Sequence, residues 1–331
     1  MITVRPAFVC TTERPPVYLN VDFIVRNHTD REVAVREIQA SVLNRAGETL
    51  EKRIVWQEAL DLIGLGPRAK IAPSTDGLIY NPLHFSFATP GSRVEYAFDI
   101  TGQTEPITVT IVPQLCRTRS ALVLPITGRV AVRDGHDVLS HHRRFNYLAP
   151  WARKEGLTDN VQRFALDLVM VDAAGRHFRG DGIRNEDFYG WGQAVRAPAD
   201  GLIVAAQDGQ PDNDKIGREN RWHGATWESS HGNYVVIRHH LKEFSVITHM
   251  RHNSLRVRTG DKVRRGQIVG QVGNSGSSLM PHVHYQLQDG AGVAGVHGVP
   301  AYFRGVRLLS RDMVRPETAV LLDTGDFVIA R

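Results

Sequence analysis

The feature that most constrains this chain is a period of two in its apolar residues. Val17, Leu19, Val21, Phe23 and Val25 alternate with a polar set that includes Asn20, Asp22 and Arg26, the spacing of a strand with one buried face. The pattern returns at Val94, Tyr96, Phe98 and Ile100, and again at Ile107, Val109 and Ile111. Another apolar stretch, Val33 and Val35 followed by Ile38, Ala40 and Val42, slips phase and so predicts a bulge. Turn clusters separate these runs, Asn27-His28-Thr29-Asp30 and Arg45-Ala46-Gly47-Glu48 among them. Residues 1–118 are therefore expected to form an antiparallel β-sandwich of immunoglobulin-like size. They carry no clustered Cys and His, no nucleophile motif and no Gly-rich phosphate loop, which favours a spacer or binding module over a catalytic domain.

After Leu124-Pro125 the chain stays β-rich, punctuated by Asp200-Gly201, Asp208-Gly209, Gly232-Asn233, Gly260-Asp261 and Gly273-Asn274. No segment shows a long helical period, so the whole chain reads as all-β. Its 331 residues suffice for two domains at about 150 residues each. A hydrophobic share of 42% with 23% charged residues excludes disorder. The net charge of +5 suits anionic surroundings such as cell wall, nucleic acid or a membrane face without choosing among them. No apolar run approaches the roughly 18 residues of a membrane-spanning helix, and MITVRPAFVCTTERPP lacks a secretory apolar core. Cys10 and Cys116 cannot build a disulfide framework and neither has a second thiol at metal-ligand spacing. They read as unpaired thiols in preference to a bridge tying together the ends of the first domain.

Chemistry-bearing residues gather late in the chain. Of 15 histidines, 13 follow residue 118. In Phe164-Ala165-Leu166-Asp167-Leu168-Val169-Met170-Val171 the period of two puts Asp167 on the face of Ala165, Val169 and Val171. A carboxylate buried there needs a partner, either a cation or a structural arginine and backbone amides. In Pro281-His282-Val283-His284-Tyr285-Gln286-Leu287 the two histidines project from one strand face, a moderately specific metal signal. Phe244-Ser245-Val246-Ile247-Thr248-His249 brings His249 to a strand end on the face of Ile247. Residues 266–288, 23 in all, hold no Asp, Glu, Lys or Arg, and a low-charge groove strengthens the field of a metal on bound water.

Taken together, Ala197-Pro198-Ala199-Asp200-Gly201, Gly232-Asn233-Tyr234-Val235-Val236, Thr248-His249-Met250, Gly260-Asp261-Lys262-Val263, Gly266-Gln267-Ile268-Val269-Gly270, Gly273-Asn274-Ser275-Gly276 and Pro281-His282-Val283-His284 resemble the LytM/lysostaphin-type zinc metallopeptidases in order, spacing and turn residues across about 122–290. The resemblance implies a β-rich peptidase domain over 119–300, with 301–331 as a C-terminal extension packing on it. It further implies one Zn²⁺ per chain and hydrolysis of peptide cross-links of peptidoglycan, hence a cell-envelope or extracytoplasmic location. By the same resemblance the second and third metal ligands are Asp167 and His284, and the catalytic histidines that do not bind metal are His249 and His282. The commonest pattern has the first ligand four residues before the Asp, where this chain has Arg163, which cannot ligate zinc. A related arrangement takes it from upstream, and Ser140-His141-His142-Arg143-Arg144 fits that form, with residues 145–160 as an insertion. His141 is preferred because it follows Ser140, with His142 as its alternate.

Two His and one Asp leave a tetrahedral zinc one open position for water and a scissile carbonyl. The resemblance then assigns His282 and His249 to orient and deprotonate the water, bind the developing oxyanion and help protonate the leaving amine. A catalytically inactive module that binds wall peptides or activates another hydrolase is the competing reading, opposed by the joint presence of Asp167, His249, His282 and His284. A histidine phosphocarrier would not need Asp167, and nucleic-acid binding rests on basicity alone. Arg251, Arg256, Arg258, Lys262, Arg264 and Arg265 read as a solvated face sooner than a binding site for acidic polymers. The polar loop Gln207–His231 is either a rim around a site or a disordered insertion, and its Trp222 and Trp227 either stack on glycan or pack the loop.

Overall fold

The structure, a computed structural model, describes residues 1–6, 9–11, 17–63, 70–86, 92–137, 140–217, 226–309 and 319–331. They are nearly all β, with only short helices. The chain divides into two units, Met1–Cys116 with Arg143–Pro150, and Arg117–His142 with Trp151–Arg331.

In the first unit, Ile2–Arg5, Asp22–Arg26 and Asp76–Tyr80 pair antiparallel as a three-stranded sheet. A second antiparallel sheet runs in the order Ile107–Ile111, Arg93–Ile100, Val33–Leu43 and Thr49–Trp56, with Lys70–Ile71 added on the Val33–Leu43 strand. Val94, Tyr96, Phe98 and Ile100 are all buried, as their alternation requires. Phe23 of the first sheet meets Tyr96 and Phe98 of the second, with ring centroids 4.8 and 4.9 Å apart. The expected phase slip is present, because the pairing of Asp99 with Glu37 and Ile100 with Val35 skips Arg36.

Two expectations for this unit are corrected. The alternation from Val17 predicted one half-buried strand, yet Asn20, Asp22 and Ile24 are buried along with Val21, Phe23 and Val25. Asp22 tolerates burial because Arg143 pairs with it, while Arg143 Nη2 also donates to the Val21 carbonyl at 2.5 Å. That partner lies 121 residues away, beyond the reach of a local pattern. The cysteines are not free thiols either: Cys10 and Cys116 form a disulfide across 106 residues. The short strands Cys10–Thr11 and Gln114–Leu115 run parallel in register there and bring the two sulfurs together.

The second unit is built on a ten-stranded sheet. Its order is Lys262–Val263, Gly201–Gln207, Asn233–His240, Glu243–Met250, Val283–Gln288, Leu166–Met170, Gly128–Asp134, Phe327–Ala330 and Val306–Leu308, with Gly298–Val299 paired to Val283–Gln288. The last residues thus extend the sheet itself, antiparallel to the Gly128–Asp134 strand. Register across the centre aligns Leu166 with Tyr285 and Tyr285 with Ile247, all three within the main apolar core. The adjacent row aligns Asp167 with His284 and His284 with Thr248, and the period of two turns that row to the opposite face.

Candidate metal centre

The row Asp167, His284 and Thr248 supplies two of the polar groups expected at a metal site. His284 Nδ1 lies 3.1 Å from Asp167 Oδ1 and 3.1 Å from His142 Nε2, and His142 Nε2 lies 3.3 Å from the same Asp167 oxygen. Tetrahedral ligands about 2.05 Å from zinc sit roughly 3.3 Å from one another, so this triangle has the dimensions of three zinc ligands. His142 is 1% exposed and its Nδ1 has no hydrogen-bond partner among the described residues. Asp134, His141, His142 and Asp167 form a wider His/Asp group able to hold a metal ion, their ligand atoms within 4.8 Å of one another.

Within that group His141 and His142 face different partners. The His141 ring is 67% exposed and its Nδ1 bonds Asp134 Oδ2, whereas adjacent His142 turns inward to Asp167 and His284. Ser140 explains the alternation, since its hydroxyl donates to the Gly135 carbonyl at 2.5 Å and accepts from the His142 amide at 3.1 Å. From the other side, Asn160 Nδ2 donates to the His142 carbonyl at 2.9 Å. Arg163, at the position of the commonest first ligand, is fully buried and donates to Asp159 Oδ1 at 2.5 Å.

His282 Nε2 lies 3.4 Å from Asp167 Oδ1, and the His282 Nδ1–H donates to the Met280 carbonyl at 2.8 Å. His249 reaches the site by an unexpected route. In a regular strand it would share the core-facing side of Ile247. Instead one residue, Tyr234, opposes both Thr248 and His249, a bulge, and His249 has a left-handed φ of +60°. Its ring centroid then lies 4.9 Å from that of His282 and 5.9 Å from that of His284. The His249 Nδ1–H donates to the Ser275 carbonyl at 2.8 Å, which leaves Nε2 as the free base. Asn213 secures the Ser275 loop through its side-chain amide, which donates to the carbonyls of Asn274, Gly276 and Ser278 at 2.6, 2.9 and 3.2 Å.

Electrostatics separates these groups. Burial alone would raise the Asp167 pKa, but the charges and hydrogen bonds of His142 and His282 hold it well below the usual carboxylate range. Burial, reinforced by His282 and His284, holds His249 well below its ordinary value. Burial also acts downward on His282, yet the charge and hydrogen bond of Asp167 outweigh it and leave that pKa raised.

Sequence reasoning missed Asp134, Asn160, Asn213 and the pair Gln286 and Gln288. The glutamines carried a signal, because 282, 284, 286 and 288 share one phase of the strand. Trp227 is buried, stacked on Trp151 at 6.3 Å, so it packs the loop, while Trp222 lies outside the described residues. Arg256, Arg258, Lys262, Arg264 and Arg265 are exposed, and Arg251 lies over the Trp191 ring.

Residues 186–294, within the second unit, match Peptidase family M23. The match includes His249, His282 and His284 and begins after His142 and Asp167, whose place at the site rests on geometry. Two peptidoglycan DD-endopeptidases of Vibrio cholerae serotype O1 are similar to parts of the chain: ShyC, 33% identical over 76 residues, and ShyA, 43% identical over 56 residues. These stretches cover 23% and 17% of this chain but only 16% and 13% of the relatives. A crystal structure of the catalytic domain of the prophage-encoded M23 protein EnpA from Enterococcus faecalis aligns with 28% identity and a TM-score of 0.24, covering 37% of this chain and 82% of that one. Among the described residues no helix is long and apolar enough to cross a membrane.

Proposed function

We propose that the second unit is a zinc-dependent endopeptidase that hydrolyses peptide cross-links of bacterial peptidoglycan, with His142, Asp167 and His284 as metal ligands and one zinc per chain. The observation that carries this reading is the triangle of His142 Nε2, Asp167 Oδ1 and His284 Nδ1 at 3.1 to 3.3 Å, with His282 and His249 beside it. Two imidazoles and a carboxylate with one position left open are the donor set of a hydrolytic zinc site. When bound, the metal supplies a Lewis acid that polarises the scissile carbonyl and acidifies water. His249, neutral and with Nε2 free, accepts the proton of the attacking water. His282, its Nδ1–H held by the Met280 carbonyl and its Nε2 facing the triangle, would in its protonated form donate a hydrogen bond to the developing oxyanion and pass that proton to the leaving amine. Asp167 keeps its negative charge throughout.

Two further features support this reading. The curated relatives are named peptidoglycan DD-endopeptidases, which suggests the substrate class. The Cys10–Cys116 disulfide suits an oxidising compartment, where peptidoglycan is found. The first unit is proposed as a spacer or binding module. Metal analysis of the full chain, paired with chromatography of muropeptides after digestion of purified sacculi, tests the proposal. One zinc per chain and chelator-sensitive release of cross-link products are expected. Failure to bind zinc at neutral pH, or intact sacculi with zinc bound, would overturn it.

A further inference from the structure

The strand that carries His284 continues into a run of buried amides that the proposed mechanism does not use. His284 Nε2 lies 3.1 Å from Gln286 Oε1, Gln286 Nε2 lies 2.5 Å from Gln288 Oε1, and Gln288 Nε2 lies 2.7 Å from the Gly290 carbonyl and 3.0 Å from the Gly292 carbonyl. Gln286 and Gln288 are 1% and 2% exposed, so water does not compete for these bonds.

The chemistry of the far end fixes the direction of the run. Backbone carbonyls only accept, so the Gln288 NH₂ must face Gly290 and Gly292, and its oxygen must face Gln286. Gln286 then donates to Gln288 and turns its own oxygen toward His284. An amide oxygen only accepts, so His284 must carry its proton on Nε2. In the neutral ring this leaves Nδ1, which faces Asp167 and His142, as the lone pair open to a metal. Reversing any one amide would set oxygen against oxygen or nitrogen against nitrogen in a buried strand.

We propose that Gln286 and Gln288 are positioning residues, a one-way hydrogen-bond relay anchored on the Gly290 and Gly292 carbonyls that locks His284 in the tautomer able to bind metal through Nδ1. This rests on the reading of His284 as a metal ligand. With the tautomer set in advance, zinc binding requires no ring reorientation, and the bond from Nε2–H to Gln286 increases the basicity of Nδ1.

The tautomer can be read without metal. In the full-length, metal-free protein with ¹⁵N-labelled histidine, two-bond ¹H–¹⁵N correlations, assigned with His284→Ala and followed to the alkaline pH at which the ring is neutral, should show the remaining His284 proton on Nε2. Gln286→Leu should abolish that preference and weaken zinc binding, measured by chelator competition, about 10- to 100-fold. Gln286→Glu keeps the acceptor toward His284, so the Nε2 proton should return, but its second oxygen then faces Gln288 Oε1 and the variant should melt below the wild type. Gln288→Leu frees the Gln286 amide to turn over, so both tautomers should appear. A neutral His284 ring in the wild type with its proton on Nδ1 would overturn the proposal, as would a folded Gln286→Leu protein with unchanged tautomer and zinc affinity. If Gln286→Leu does not fold, the wild-type and Gln288→Leu spectra still decide. A wild-type protein that binds no zinc but holds the Nε2–H tautomer would sink the peptidase reading separately.

Discussion

The Nδ1–H of His249 donates to the carbonyl of Ser275 across 2.8 Å, and a tight crossing of glycine backbones holds that carbonyl still. A Cβ on Gly276 would overlap the backbone of Gly232 and the Ser230 carbonyl, and Gly276 has a φ of +72° that favours glycine. Gly276→Ala is therefore expected to lower the melting temperature and, by displacing Ser275, to reduce hydrolysis further than the unfolded fraction explains. Calorimetry and muropeptide release on one preparation check this, and a stable, fully active variant would contradict it.

His249 supplies no atom to the proposed ligand triangle, so zinc and catalysis should separate when it is removed. His249→Ala should keep one zinc per chain and lose about 10²- to 10⁴-fold in kcat, the span of a general base. Its left-handed backbone costs a non-glycine residue about 1–3 kcal/mol, so His249→Gly should be as stable as the wild type or more so while equally inactive. Zinc loss in either variant would move His249 into the metal site.

The neighbouring histidines give the sharpest test of the ligand set. His142→Ala should lose zinc, whereas His141→Ala, altering an exposed ring bound to Asp134, should retain it. Zinc titration of both variants measures the difference, and the reverse result would restore His141 as the ligand.

Much of this site was legible in the sequence because a strand's period of two is a local rule. It put His282 and His284 on one face, flagged Asp167 as a carboxylate needing partners, and located the bulge in the Val33–Leu43 strand. What escaped depended on long-range partners or on a break in that rule. His249 was legible as a candidate but not its path to the site, since a left-handed residue reverses the face the alternation assigns. Asp22 read as solvent-facing because Arg143 is 121 residues distant. Which of His141 and His142 turns inward depends on Ser140 and Asn160, whose bonds to the His142 backbone form only once the chain has folded.

The disulfide gives a prediction for the first unit. Closing a loop of about 100 residues restricts the unfolded chain, with typical gains of about 2–4 kcal/mol. The Cys10→Ser, Cys116→Ser double variant should therefore shift the unfolding transition of that unit to lower denaturant, and added reductant should shift the wild type likewise. Coincident curves with and without reductant would show that the bridge contributes nothing.

His239 should make the second unit acid-sensitive. Its Nδ1 lies 2.8 Å from the Asp200 carbonyl and its Nε2 2.8 Å from Ser245 Oγ, and burial lowers its pKa below the ordinary 6.5 despite the opposing pull of the Asp200 carbonyl and Glu243. Between the folded and unfolded values the unfolded chain binds the proton and the folded one does not, so stability rises with pH. The contribution is complete above 6.5 and is lost as pH falls toward the lower folded value. His239→Gln removes that titration and should flatten the decline in melting temperature from pH 7 to pH 5, both proteins being measured in the same metal state. Parallel declines would assign the acid sensitivity to other groups, because a glutamine at this position cannot take up the proton.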